Sequence, residues 1–221
     1  MVDSIYRQPL TAFPVKQPDN YNKENITRIF AVIDVPPANL RLTGEYYLVT
    51  NYTYFTGLYT SLQSSTVFNV LNIGAQKMLR VSKYLNWYLE GNFQQTTGNP
   101  PVNVPLVLAR SRFAYEGNFF KNLFLSTGLE IKYNTPYKAD GYSPLIGQFV
   151  FQDTATISNR PEINAYLNFR IKSFKGYIRL ENLNTIDFGN GFQFTKYNFT
   201  APGYPARGLW LRIGIWWSFV N

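Results

Sequence analysis

The feature that most constrains this chain is strict alternation between apolar and polar residues, held for ten or more positions at a time. In "EINAYLNFRIKS", Ile163, Ala165, Leu167, Phe169 and Ile171 share one parity; Asn164, Tyr166, Asn168, Arg170 and Lys172 share the other. "FKGYIRLENL" sets Phe174, Gly176, Ile178 and Leu180 against Lys175, Tyr177, Arg179 and Glu181, with almost no loop between the two segments. The closing "ARGLWLRIGIWWSFVN" puts Leu209, Leu211, Ile213, Ile215, Trp217 and Phe219 opposite Arg212, Gly214 and Ser218, with Trp210 and Trp216 on the polar parity. "NLFLSTGLEIKY" and "YLNWYLEGNFQ" repeat the design, and residues 26 to 35, 42 to 54, 66 to 80 and 104 to 118 are further candidates. Period-2 alternation is the mark of a strand between two different environments. No segment sustains helical spacing, so the fold class is all-β.

Long alternating antiparallel strands fit either a soluble sandwich with its oil inside or a membrane barrel with its oil outside. Length separates them, because a bilayer needs about 9 to 11 tilted residues whereas globular strands average about 5 to 6. Loop lengths point the same way. The links at 80 to 83, 118 to 122 and 172 to 175 are tight, while 55 to 65, 134 to 161 and 184 to 206 are long. An antiparallel transmembrane β-barrel has this asymmetry, with short periplasmic turns and long extracellular loops. With the C-terminus on the periplasmic side, the tight turns all land there, and "SPLIGQFVFQ" must belong to the 134 to 161 loop or to a strand extension above the membrane. About nine crossings result across residues 26–221. Bacterial single-chain barrels have even strand numbers. The expectation is therefore an antiparallel transmembrane β-barrel or the C-terminal part of a larger one, with one or more N-terminal strands missing or one hidden in residues 1–25, which read as a loop or the end of a preceding strand.

Composition excludes several rivals. Charged residues make up only 15% of the 221-residue chain, against roughly 25% in a typical soluble domain. The net charge of +8 is scattered singly rather than gathered into a basic block, which argues against nucleic acid as a partner. With no Cys and no His, disulfides, thiolate zinc sites and a Ser-His-Asp triad are out of reach. No phosphate loop, dinucleotide fingerprint or calcium loop is present, so no enzyme and no cofactor is expected. "MVDSIYRQPLTAFPV" lacks the basic start and apolar core of a signal peptide; the export signal is expected to have been removed or to lie upstream. No apolar run is long enough for a membrane-spanning helix.

Certain words also resemble a known family. "YNTPYKADGYSPLIGQFVFQ", "INAYLNFRIKSFKGYIRLENLN" and "APGYPARGLWLRIGIWWSFVN" are similar to the closing portion of the putative porins of Bacteroidota. There an N-T-P-Y stretch leads to a G-Q-F loop, a strand pair and a "PGYP" turn into an aromatic last strand. The similarity is specific over residues 120 to 221. It implies an outer-membrane β-barrel, usually longer than this chain. One departure is that Phe219 is followed by Val220 and Asn221, where an outer-membrane last strand ends on an aromatic residue.

The candidate functional residues follow from parity. Arg110, Arg112, Glu116, Glu130, Lys132, Arg170, Lys172, Lys175, Arg179, Glu181 and Arg212 fall on the polar parity and are expected to face the lumen. Their excess of cations would favour anions inside a low-dielectric wall; they equally suit cross-links between wall strands. Trp87, Tyr133, Trp210, Trp216 and Trp217 are candidates for the interfacial aromatic belts. The expected function is passage of small hydrophilic solutes, anions favoured, across the bacterial outer membrane. Its expected partners are outer-membrane lipid, lipopolysaccharide and other outer-membrane proteins. A barrel serving as subunit or scaffold of a larger secretion or nutrient-uptake complex is the alternative. A soluble β-barrel binding an anionic or carbohydrate ligand comes third.

Overall fold

The computed structural model describes residues 21–119, 121–187, 189 and 193–218. Nine long strands form one antiparallel sheet in which each pairs with its neighbour in sequence. They are β1 (Asn25–Val35), β2 (Leu40–Thr50), β3 (Phe68–Arg80), β4 (Leu85–Thr97), β5 (Val107–Phe119), β6 (Leu123–Asn134), β7 (Glu162–Ile171), β8 (Phe174–Glu181) and β9 (Trp210–Trp217). "SPLIGQFVFQ" makes no crossing: Gln148–Val150 pairs with Gly141–Ser143 as a small hairpin inside the loop between β6 and β7. Residues 52 to 54, expected at the end of the second crossing, belong instead to a loop hairpin of Tyr52–Thr56 with Thr60–Ser64. Phe219 and most of the 1–25 segment lie outside the described residues.

Short and long connections alternate without exception. The links from β1 to β2, β3 to β4, β5 to β6 and β7 to β8 are short and turn the chain at one end; those from β2 to β3, β4 to β5, β6 to β7 and β8 to β9 are long and connect it at the other. The first short turn follows from its residues. Pro36 and Pro37 cannot extend a ladder, and Asn39 takes a left-handed conformation (φ 47°) while its N–H donates back to the Pro36 carbonyl. Lys172 does the same at the tightest turn (φ 51°), so it stands on the rim rather than on the wall.

Register puts the alternation of all nine strands in phase. Ile33, Leu42, Ala75, Gly91 and Ala109 follow one another across β1 to β5. Ile131, Ile163, Leu129, Ala165, Leu180 and Leu211 continue that face to β9. Among the described strand residues, Lys77 alone brings a charge to this apolar face, and its Nζ donates to the Ala38 carbonyl at the neighbouring turn. A flexible stem with its head drawn to the rim is how lysine borders an apolar layer. The rows of directly paired residues are also staggered. One row starts with Asp34 beside the first short turn, runs through Arg41, Gln76, Glu90, Arg110 and Lys132, and reaches Glu162 beside a long loop. Such a stagger is the tilt that barrel walls require.

Burial is inverted relative to a soluble sandwich. Large apolar side chains of the wall are exposed, as at Ile213 (66%) and Ile215 (74%). Apart from Phe68, the most enclosed residues are small or polar, and several of them, Ser143, Thr185, Ala139 and Ala201, belong to the long loops.

Candidate pore lining

The polar face carries its charges in three kinds of setting. Near the middle, Glu90, Arg110, Lys132 and Glu162 lie in one lateral row, with Glu130 in the adjoining row. Arg110 bonds Glu130 through Nε at 2.9 Å and sits 3.7 Å from Glu90; Lys132 lies 3.4 Å from Glu130 and 3.6 Å from Glu162. Three carboxylates thus surround two cations, and the Glu130 side chain is almost fully enclosed. On β8 and β9, Glu181 sits between Arg212, which donates to it, and Arg179 at 3.7 Å. On β1 and β2, Arg41 grips Asp34 with two bonds and Arg28 meets Glu45 at 2.6 Å. These pairs tie neighbouring strands together and cancel one another's charge.

The second setting is a hydrogen-bonded carboxylate. Glu116 accepts from Asn86 Nδ2 at 3.0 Å, the Tyr88 hydroxyl at 2.8 Å and the Ser126 hydroxyl at 3.1 Å. The Arg112 guanidinium lies 4.2 Å from the centre of the Tyr88 ring. Ala114 and Gly128 face each other in the adjoining row, and Gly128 allows a close backbone approach, since a Cβ there would run into the Phe113 carbonyl. The third setting is at the short-turn end, where Arg170 and Lys175 are directly opposite. No carboxylate lies within 4 Å of either among the described residues.

The long loops knit to each other. Asn159 pairs its amide with the backbone of Phe199 (2.8 and 2.9 Å), and Asn198 pairs its amide with the backbone of Arg160 (2.9 and 3.0 Å). Asn103 donates to Asp140 Oδ1 at 2.9 Å and to the Gln152 carbonyl at 2.7 Å. Phe151 N–H bonds the Phe55 carbonyl, and Ser143 donates to the Leu58 carbonyl. All four loops are therefore linked. Their inner edge reaches the wall, because Asn159, Arg160, Asn198 and Thr200 share a cavity of about 440 Å³ with Asn92, Arg110, Lys132 and Glu162. Within this layer burial pushes the pKa of the Asp140 carboxyl up, against the lowering effect of the Asn103 bond.

The aromatic candidates divide by parity. Trp87, Tyr133 and Trp217 stand on the apolar face. Trp87 stacks on Phe113 at 4.8 Å, and Trp217 contacts Phe174 edge-on at 6.2 Å. With Tyr84, Tyr115, Phe119 and Phe169 they make an aromatic band at the short-turn end that the sequence reading named only in part. Trp210 and Trp216 stand on the polar face, where Arg207 and Lys175 cover their rings at 4.1 and 4.8 Å. Adjacent residues of a strand cannot share a face, so Trp216 and Trp217 are split. Of the lumen candidates, all but Lys172 share the polar face. Among the described residues no cluster of His, Cys, Asp or Glu suited to a metal ion occurs.

A staggered antiparallel wall with one apolar and one charged face, short turns at one end and interlocked loops at the other, defines a transmembrane β-barrel of the outer-membrane type. A family model described as putative porin matches residues 15–221. The chain belongs to that family, whose description is that of a porin-like protein. No curated protein and no solved structure was found to match it.

Proposed function

We propose that the protein sits in the bacterial outer membrane and passes small hydrophilic solutes, with anions favoured. The observation that carries this reading is the segregation of charge. Every charged residue of the described strands except Lys77 lies on the polar face, as a water-filled lumen requires and a lipid contact forbids. The anion preference rests on the cations that lack carboxylate partners, since paired ones contribute little net field. Outer-membrane lipid and lipopolysaccharide would surround the apolar face. Reconstitution in planar bilayers tests the proposal: discrete conductance steps with reversal potentials favouring anions are expected, and a bilayer that stays silent refutes it.

A second reading, a barrel that acts as scaffold in a larger outer-membrane complex, draws support from the loop layer. Leu58, Tyr59, Phe149 and Tyr204 are exposed on loops held rigidly together. Fixed apolar tips of this kind are a protein-contact surface. Silent bilayers combined with co-purification of another outer-membrane protein would favour it.

A further inference from the structure

We infer that Asn168, Arg170, Lys175 and Tyr177 form a binding station for a small doubly charged oxyanion, a phosphate monoester or inorganic phosphate, at the short-turn end of the lumen. The inference deepens the pore reading by naming a solute class.

These four residues make a two-by-two block. Asn168 is directly opposite Tyr177, Arg170 is directly opposite Lys175, and the alternation of each strand puts all four on the polar face. They line one cavity of about 610 Å³, with Phe124 and Trp216 at its flanks and Gly214 between. Like charges directly opposite on a sheet are destabilising, yet elsewhere on this face the directly opposed cations, Arg110 with Lys132 and Arg179 with Arg212, have a glutamate beside them. Here none is present among the described residues. The side chains are instead held by rings: the Arg170 guanidinium lies 5.6 Å from the Phe124 centroid and Lys175 Nζ lies 4.8 Å from that of Trp216.

The block offers a guanidinium fork, an ammonium, an amide and a phenol, and neither Asn168 nor Tyr177 spends its side chain on a hydrogen bond within the described residues. A fork and a point charge on directly opposed residues, each resting on a ring to its own side and with neutral donors one pair along, can close together on a tetrahedral oxyanion. Gly214 keeps the floor low. A Cβ at that position would meet the Tyr177 ring at 2.3 to 2.7 Å, so the ring lies across the glycine instead of standing up into the cavity.

The test measures binding of inorganic phosphate to the purified protein in zwitterionic detergent by phosphorus NMR and calorimetry. Saturable binding is expected. Replacing Arg170→Gln together with Lys175→Gln should weaken it about tenfold to a hundredfold, the range for losing charge-assisted hydrogen bonds. Arg179→Gln, whose cation already answers Glu181, should leave it within about twofold. The swap Arg170→Lys with Lys175→Arg keeps both charges and should keep binding, which separates loss of the site from loss of the fold. Gly214→Ala should weaken binding by lifting Tyr177. Phosphate that does not bind, or binds equally to the double glutamine variant, overturns the station. Protection by phosphatidylglycerol with no response to inorganic phosphate assigns the residues to a lipid headgroup and overturns the solute assignment. Because binding is read in detergent, a silent bilayer would refute the pore and leave this result standing.

Discussion

The wall and the loop layer of this protein solve opposite problems with the same chain. In the wall, Leu211, Ile213 and Ile215 point outward and are more than half exposed, and the enclosed side chains include the polar Glu130, Asn164 and Ser126. In the loop layer, Ala139, Val150, Ile157 and Ala201 are packed away while Asn and Thr side chains bind backbone. A one-layer wall has no interior, so its apolar side chains must find lipid and its backbone must be satisfied wholly by neighbouring strands. The loops meet water and must collapse on themselves as any small soluble fold does. Hydrophobicity alone therefore does not predict burial here; the solvent on each side does.

The sharpest way to break this contrast is to place a charge where the wall meets lipid. Ile213→Arg, in the middle of β9, is expected to cost about 2 to 4 kcal/mol of folding free energy in phospholipid vesicles, read from denaturant titrations. Tyr204→Arg in the loops, by contrast, should cost under about 0.5 kcal/mol. Equal effects at the two positions would mean that the apolar face is not in lipid. Inside the wall the next largest effect is expected at Glu130, whose loss leaves Arg110 and Lys132 facing each other. Glu130→Gln should destabilise by about 1 to 2 kcal/mol, below the fully buried range because both cations are half exposed. The same change should increase anion selectivity in bilayers, because it uncovers positive charge.

How much of this could be read in the sequence depends on the range of the interaction. The strands were legible because period 2 is local: Ile163 to Ile171 declare their own faces, and the two-residue turn at 172–173 fixes the register with β8 from within one segment. Charge pairing was not legible, because Glu130 answers Arg110 only through a register set by the whole hairpin. The same distance hid the difference between Arg170, which has no carboxylate, and Arg179, which has one. Trp210 and Trp216 show a different failure. Their parity is plain and places them on the polar face, and it overrides the general preference of tryptophan for membrane interfaces. The loop layer was least legible, since Asn159 clasps Phe199 across a sequence separation of 40 that takes in both β7 and β8.

That clasp gives the smaller and finer tests of the contrast. Asn159→Ala removes two hydrogen bonds to Phe199 and is expected to cost the loop layer about 1 kcal/mol, seen as faster proteolysis in 135–161 with β7 still protected. The mildest effect is expected from pH. Burial holds the Asp140 pKa above its ordinary value, so the folded loop binds the proton more tightly than the unfolded one. Its contribution to stability is complete in acid and is lost as pH rises through the raised value. The loop layer should accordingly open more readily at neutral than at acid pH, in hydrogen exchange read at residues 135–161. Asp140→Asn should flatten that dependence while the wall, which does not share the group, exchanges as before. If the wall loosened over the same pH range, loops and wall would be one cooperative unit, and the division between them would hold for burial only and not for stability.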